Sequence, residues 1–365
     1  MPAKMNHARS DSRKYGYVRI VTINLLVLIV LLVVLDLALF IIAPPKPLHQ
    51  SDDLLGWRLA ANLQLKTMQQ SLSGQPYEVS YSTDADGLRV FGKNVDAPIQ
   101  ILVLGDSFTA GAYASNDKMW FARLFEELAK HSGRPIDDFY VRAGGAGGYG
   151  TYQNVLLSKQ YAAKLKPTLF IHQFCSNDYE NNHYELEADA IYWSQYLLRP
   201  YASLNNDLTR QHMGIYSQAI KLLDGRSRIF SRLAGHIQSL QYSLYGHSWG
   251  NLSAEQRKRY QAESFELTRK LLKMLRQQWA EVPALMVSCR QDENGDWQEL
   301  AENAGFVPVG VSSDSFTRAK PVQYPDLYNA DGGHLSELGN QKWGQELAKS
   351  LLDSSDKSVY LSERK

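Results

Sequence analysis

The sequence predicts an α/β domain built on an open, mostly parallel sheet. Two observations predict it. Short, near-continuous apolar runs recur along the chain, as strands buried on both faces require, and segments with helical spacing separate them. The first such run is Ile99–Leu104 (IQILVL). Trp120, Leu124 and Leu128 follow at four-residue spacing, with Phe121 and Phe125 beside them, and predict an amphipathic helix. Phe139–Val141 reads as a second, shorter strand. A helical stretch near 151–165 and the run Thr168–Ile171 come next. Ala284–Ser288 and Val307–Val311 are two further strands, with Trp297, Leu300 and Ala301 at helical spacing between them.

Residues 185–280 interrupt this rhythm. They are polar and aromatic and read as a helical insertion, in which Ser253-Ala254-Glu255-Gln256 is a capping box opening a long helix through Leu267, Leu271, Leu272 and Leu275. Ahead of the first core strand, residues 57–98 carry alternating segments such as Tyr77–Tyr81 and the turn Asp84-Ala85-Asp86-Gly87, so a small β-rich lead-in is expected there.

The 365 residues carry 39 basic and 38 acidic side chains, a balance that gives no reason to expect a nucleic-acid partner. Two distant cysteines, Cys175 and Cys289, supply neither a disulfide framework nor a zinc-ligand spacing. The N-terminus is different in kind. Residues 20–43 form an apolar run, about 24 residues long, in which Asp36 is the one ionisable side chain. As a helix it spans roughly 36 Å, enough for a ~30 Å hydrocarbon core. The run exceeds a signal-peptide core and ends in Ala43-Pro44-Pro45-Lys46 instead of a small-x-small cleavage site, so it reads as an uncleaved anchor. Lys4, Arg9, Arg13, Lys14 and Arg19 precede it and Lys46 alone follows closely, which puts the N-terminus in the cytoplasm and the remainder outside. In a Gram-negative bacterium that is the periplasm. Asp36 lies near the outer end of the span and is expected to reach interfacial water; a contact with a partner in the membrane is the alternative.

Chemistry-bearing residues gather in the loops after the strands, where parallel sheets bind ligands. Gly105-Asp106-Ser107 follows the first strand, although Gly, Asp and Ser are ordinary turn residues. The second strand leads into Gly144, Gly145, Gly147, Gly148 and Gly150, whose backbone N–H groups can approach an anion, either a phosphate or an oxyanion. No Gly-Lys-Ser/Thr follows, which excludes a P-loop. Asn177, after the third strand, is either an oxyanion donor or the start of an Asx-turn. Near the C-terminus, Asp331 and His334 are three residues apart with Gly332 and Gly333 between. A carboxylate at that spacing can fix the imidazole tautomer, leaving the other ring nitrogen as general base.

Taken in order, the Ser, Gly, Asn and His loops resemble the four sequence blocks of the SGNH (GDSL-like) serine hydrolases, over residues 99–183 and 284–350. The resemblance implies a doubly wound, flavodoxin-like three-layer α/β/α domain. It implies Ser107 as nucleophile, His334 as base and Asp331 as its orienting carboxylate. The oxyanion donors would be the backbone N–H groups of Ser107 and Gly147 and the side chain of Asn177, with neither cofactor nor metal. Two positions depart from the family pattern: Cys175-Ser176 stands where a Gly often precedes the Asn, and Arg142 stands where an Asn is common. In this fold the strands ending in Cys175 and Cys289 are neighbours, so a disulfide is open to them.

The organisation expected is a cytoplasmic segment at 1–19, the anchor at 20–43, a linker and lead-in at 44–98, the hydrolase domain at 99–353 with its insertion at about 185–280, and a polar tail at 354–365. The activity expected is a carboxylic esterase or deacetylase acting on a cell-envelope or extracellular glycan, with the membrane as anchor. The alternatives are an O-acyltransferase modifying an envelope polysaccharide and, behind it, a non-catalytic glycan-binding protein. Tyr179, His183, Tyr184, Tyr192, Trp193, Tyr196 and Tyr201 in the insertion are a candidate sugar platform, though packing of the insertion is the stronger expectation.

Overall fold

The computed structural model describes residues 4–42, 48–190, 199–205, 208–210, 229, 252–289, 296–311, 313–316 and 320–354. The chain divides into two compact units, residues 1–46 with 218–244, and residues 47–217 with 245–365. In the first unit, α1 (Lys4–Ile42) is a continuous helix, and its stretch Tyr17–Ile42 is long and apolar enough to cross a membrane. The Asp36 carboxylate accepts a hydrogen bond from the backbone N–H of Ile229 in the same unit, at 3.0 Å.

The second unit opens with two hairpins. β1 (His49–Asp52) pairs with β2 (Gly56–Leu59), and β3 (Gln64–Gln70) with β4 (Pro76–Ser82), both antiparallel. The Asp84–Gly87 turn is closed by the Asp84 carboxylate, which accepts from the N–H groups of Asp86 and Leu88. β5 (Arg89–Phe91) then joins the central sheet, so the stretch expected as a lead-in supplies an edge strand, antiparallel to its neighbour.

The sheet itself is parallel apart from that edge. β6 (Ile99–Gly105) lies at its centre, flanked by β7 (Phe139–Gly145) and β8 (Leu169–Phe174). β11 (Ala284–Ser288) and β12 (Val307–Val309) extend it beyond β8, in the order β12-β11-β8-β6-β7-β5. The order reverses at β6, the doubly wound arrangement in which ligands bind between the carboxyl ends of the two flanking loops. β7 runs further than its apolar residues predict. Leu104 pairs with Gly144 and Gly105 with Gly145, so the first two glycines of the glycine run belong to the strand.

Helices cover both faces. On one, α3 (Trp120–Ser132) and α9 (Glu337–Asp353) bury Trp120, Phe121, Leu124, Trp343 and Leu347, with the Trp120 and Trp343 rings 4.9 Å apart. On the other, α4 (Thr151–Ala162), α7 (Ala254–Gln278) and α8 (Asp296–Ala304) bury Val155, Leu271, Leu275 and Trp297. The expected capping box opens α7: the N–H of Gln256 donates to Ser253 Oγ at 3.2 Å and that of Ser253 to Gln256 Oε1 at 2.9 Å. Short elements fill the gaps, α2 (Ser107–Ala110), α5 (Asn177–Asn182) and α6 (Tyr184–Ala190). The insertion is not helical throughout, since β9 (Pro200–Ala202) and β10 (Leu208–Arg210) form a small hairpin within it. Tyr192, Trp193 and Tyr196, and the tail beyond residue 354, lie outside the described residues.

Cys175 and Cys289 form a disulfide with Cα atoms 5.3 Å apart, tying β8 to β11 across a sequence separation of 114. A bond closing so long a loop restricts the unfolded chain, and its removal should cost about 2–4 kcal/mol. The thermal midpoint should therefore drop by several degrees on reduction, and intact-mass measurement should show no alkylation until reductant is added. Two thiols that alkylate freely in the native protein would contradict the bond.

Candidate active site

β6 ends at Gly105, and the chain turns at once into α2 with Ser107 at its first position. Asp106 caps the helix, its carboxylate accepting from the N–H of Phe108 at 2.8 Å. Gln173 on β8 braces the same turn: its Oε1 accepts from the N–H of Asp106 at 3.1 Å and from Thr109 Oγ1 at 2.9 Å. The glycine at the end of β7 has a steric reason. A Cβ on Gly145 would stand 2.7 Å from the carbonyl oxygens of Gly105 and Asp106, so a side chain there would push β7 away from the serine turn.

His334 arrives from the other end of the sequence, on the loop before α9. Asp331 organises that loop: its Oδ1 accepts from the N–H groups of Gly333 and His334, both at 2.9 Å. Its Oδ2 lies 2.7 Å from His334 Nδ1, and His334 Nε2 lies 2.9 Å from Ser107 Oγ. Residues 227 apart in sequence thus meet in a single hydrogen-bonded row. With Nδ1 protonated and donating to Asp331, Nε2 accepts the Ser107 hydroxyl proton, the arrangement that activates a serine for acyl attack. Phe108 and Tyr113 flank the imidazole, with ring centroids 5.5 and 5.3 Å away.

Burial alone would raise the Asp331 carboxyl. The hydrogen bond and charge of the His334 imidazole outweigh it, with the N–H groups of His334 and Gly333, and hold the group well below the usual carboxylate range. A depressed carboxylate adds stability that is present above its unfolded value of about 4 and is lost as pH falls through the lower folded value. The Asp331–His334 link therefore persists through mild acid. Between pH 7 and pH 4, kcat/KM should fall as a single proton step, because Asp331 does not titrate in that window. A two-proton slope there that persists in an Asp106→Asn variant, which removes the carboxyl beside Ser107 that burial raises, would show that Asp331 is not held down.

The remaining expected residues surround the serine turn. Asn177 starts α5, and its Nδ2 donates to Asn181 Oδ1 at 2.8 Å and, more distantly, to Asp106 Oδ2 at 3.4 Å. Asp106 is fully buried, which raises its carboxyl; the Phe108 N–H, the His334 charge and Asn177 moderate that. Gly147 lies in the turn after β7, where its carbonyl accepts from the Trp57 indole N–H at 3.1 Å. Arg142, at a position where the family often has Asn, faces away from this chemistry into a salt bridge with Asp84 and Asp86, both at 2.7 Å. Among the described residues, aromatic side chains of this region pack on one another: Tyr179 stacks on Phe265, His183 lies against Tyr260, and Tyr201 is buried against Tyr184.

A model of the GDSL-like lipase/acylhydrolase family matches residues 101–347, more than half of the chain. The chain belongs to this family. As a GDSL-like protein it is an ester hydrolase of the SGNH type, with the mostly parallel α/β sheet expected of one. Among solved structures it is similar to a family 3 carbohydrate esterase from Clostridium thermocellum, at 15% identity over 70% of this chain and 96% of that one, with a TM-score of 0.35. It is also similar to the psychrotrophic esterase EstA from Pseudoalteromonas sp., at 9% identity over 69% and 96% of the two chains, with a TM-score of 0.36. A third is the acetyl xylan esterase Est2A from Butyrivibrio proteoclasticus, at 10% identity over 78% and 68%, with a TM-score of 0.34. No curated protein sequence matches the chain.

Sequence reasoning missed Gln173, Trp57 and Arg199. A polar residue inside an otherwise apolar strand, His172-Gln173 in β8, was the one available signal; the other two carry none.

Proposed function

We propose that this GDSL-like hydrolase is a membrane-anchored serine esterase that removes short acyl groups from a glycan outside the cytoplasmic membrane. Ser107 is the nucleophile, His334 the general base and Asp331 the group that orients it. The observation behind this is the row of hydrogen bonds from Asp331 through His334 to Ser107, at 2.7 and 2.9 Å. Ser107 Oγ passes its proton to His334 Nε2 and attacks the ester carbonyl. The resulting oxyanion is held by the N–H groups of Ser107 and Gly147 and the amide of Asn177. Collapse expels the alcohol, protonated by His334, and leaves an acyl-enzyme. Water activated by the same imidazole then releases the acid.

Chemistry of two kinds supports this location. The apolar helix Tyr17–Ile42 is preceded by basic residues, which favours a cytoplasmic N-terminus. A buried disulfide belongs to an oxidising compartment. Both support a catalytic unit on the side where envelope and extracellular glycans are found.

The test uses full-length protein in detergent. Fluorophosphonate should label Ser107 stoichiometrically, as peptide mass mapping reads it. Acetylated xylan should release free acetate. With p-nitrophenyl acetate and an unacetylated glycan present together, the acetyl group should appear as acetate in water. Acetyl groups found on the glycan would make the protein an O-acyltransferase, and absence of both serine labelling and acetate release would end the esterase reading.

A further inference from the structure

The proposed oxyanion donors stand on two separate segments, the glycine turn after β7 and the helix α5, and one buried side chain from the insertion touches both. Arg199 is fully enclosed. One arm of its guanidinium donates to the carbonyl of Gly148. The other donates to the carbonyl of Asn181, at 2.6 Å, and to the Glu187 carboxylate. Glu187 is held in turn by the Tyr201 hydroxyl, at 2.5 Å, and its second oxygen accepts from Asn181 Nδ2 at 3.2 Å. That last bond matters for the hole. With its Nδ2 committed to Glu187, the Asn181 side chain presents Oδ1 to Asn177 Nδ2, at 2.8 Å. One of the two amide hydrogens of Asn177 is thereby fixed, and the other faces Asp106 Oδ2 at 3.4 Å, a long contact that an oxyanion beside Ser107 would have to replace.

The glycine turn is pinned in the same way. The Tyr149 N–H closes it onto the Ala146 carbonyl at 3.1 Å, and Gly148 has φ +75°, the pattern of a type II turn. The central peptide of such a turn can flip, reversing its N–H and C=O. Here the Gly147 carbonyl is bound by the Trp57 indole N–H and the Gly148 carbonyl by Arg199, which fixes the two peptides that follow Gly147. The peptide that carries the Gly147 N–H itself is held through the Ala146 carbonyl, which accepts from Tyr149, so the turn is pinned on both sides of Gly147. The guanidinium also lies 5.4 Å from the centre of the Trp57 ring and 5.1 Å from that of Tyr201.

We propose that Arg199 and Trp57 are positioning residues for ester hydrolysis, a clamp that aims the glycine-turn N–H groups and the Asn177 amide at the developing oxyanion. This rests on the oxyanion hole given above. Such donors act on the transition state and not on bound ester, so loosening them should lower kcat and leave KM nearly unchanged. The insertion then has a catalytic purpose: it carries the residue that assembles the hole.

Two conservative variants test the clamp in the full-length protein. Trp57→Phe keeps the ring and removes the N–H; Arg199→Lys keeps the charge beside Glu187 and removes the forked reach. Asn177→Ala serves as the reference for the hole itself. Rates on p-nitrophenyl acetate are expressed per active site, titrated with fluorophosphonate, so that unfolded protein does not count. Both variants should lose about 10-fold or more in kcat with KM within about 3-fold, and bind a phenylboronic acid correspondingly less tightly. Adding Asn177→Ala to Arg199→Lys should cost less than the product of the two single losses, because Arg199 acts partly through Asn177. If Asn177→Ala is slow while both variants turn over like the parent per titrated site, the clamp is wrong and the hole stands. If Asn177→Ala retains full kcat, the hole is wrong and the clamp falls with it.

Discussion

Ser107→Ala should lower kcat/KM on p-nitrophenyl acetate by at least about 10⁴-fold and leave the thermal midpoint nearly unchanged. The first expectation follows from chemistry. Without Oγ no acyl-enzyme can form, and what remains is the polarisation of the carbonyl by the oxyanion donors acting on a water. The second follows from local structure. Ser107 is the first residue of α2, and the cap is Asp106, whose carboxylate binds the Phe108 N–H. The substitution therefore removes no capping bond and opens little space. His334→Ala should lose about as much, and the double variant Ser107→Ala/His334→Ala no more than either alone, because groups that act as one unit are not additive. Stopped-assay rates on the three variants, with melting curves alongside, check this. A Ser107→Ala protein within about 10-fold of the parent would exclude Ser107 as nucleophile.

How much of this was readable in the sequence depends on how local each signal is. The five parallel strands leave apolar runs in consecutive residues, and the candidate catalytic groups follow those runs directly, so Ser107 after Ile99–Leu104 and Asn177 after Thr168–Ile171 could be picked out. The Asp331–His334 contact is also local, three residues apart, with the carboxylate holding two N–H groups of its own loop. The edge strand β5 was missed because Arg89-Val90-Phe91 is too short and too polar to resemble a buried strand. Its pairing with Ala143, Arg142 and Val141 is a long-range event that no window of sequence contains. The glycines of β7 were misread as loop for the opposite reason. Glycine signals a turn, but here Gly144 and Gly145 are strand residues, Gly145 kept small by the close approach of the serine turn and Gly144 by the side chains of Leu88 and Leu104.

The residues that brace the site escaped notice on a further ground. Arg199 and Trp57 donate to backbone carbonyls, and a carbonyl has no sequence identity. A lone arginine in a polar insertion reads as a solvated side chain, since Arg is seldom fully buried. What reverses that expectation is a convergence of oxygens from Gly148, Asn181 and Glu187, which exists only after folding.

Arg89 makes the same point on the stability side, and Arg89→Leu should destabilise the catalytic unit by about 3–5 kcal/mol. Its guanidinium is fully buried. It donates to the carbonyls of Ala110, Gly111 and Ala114 at 3.0, 2.7 and 2.7 Å and to Asn116 Oδ1 at 2.7 and 3.1 Å, with the Tyr81 ring 4.2 Å away. Burial lowers its pKa to about 10, which still leaves it charged at neutral pH. A leucine would fill part of the volume and donate nothing. The carbonyls at the end of α2 would then be left inside the protein without this donor, at about 1–3 kcal/mol for each that finds no other partner. Against this, the cost of desolvating a guanidinium is recovered, so the loss is smaller than a sum over bonds. For a domain of this size the thermal midpoint should fall by on the order of 10 °C. Arg89→Lys, which keeps a charge but cannot reach three carbonyls and an amide at once, should retain less than half of the lost stability. Since the Ala110 and Gly111 carbonyls close the helix that carries Ser107, the surviving folded fraction should also hydrolyse p-nitrophenyl acetate more slowly per titrated site. A melting curve for Arg89→Leu within about 2 °C of the parent would mean that the bonds are dispensable and that the loop after Ser107 is held by its own sequence.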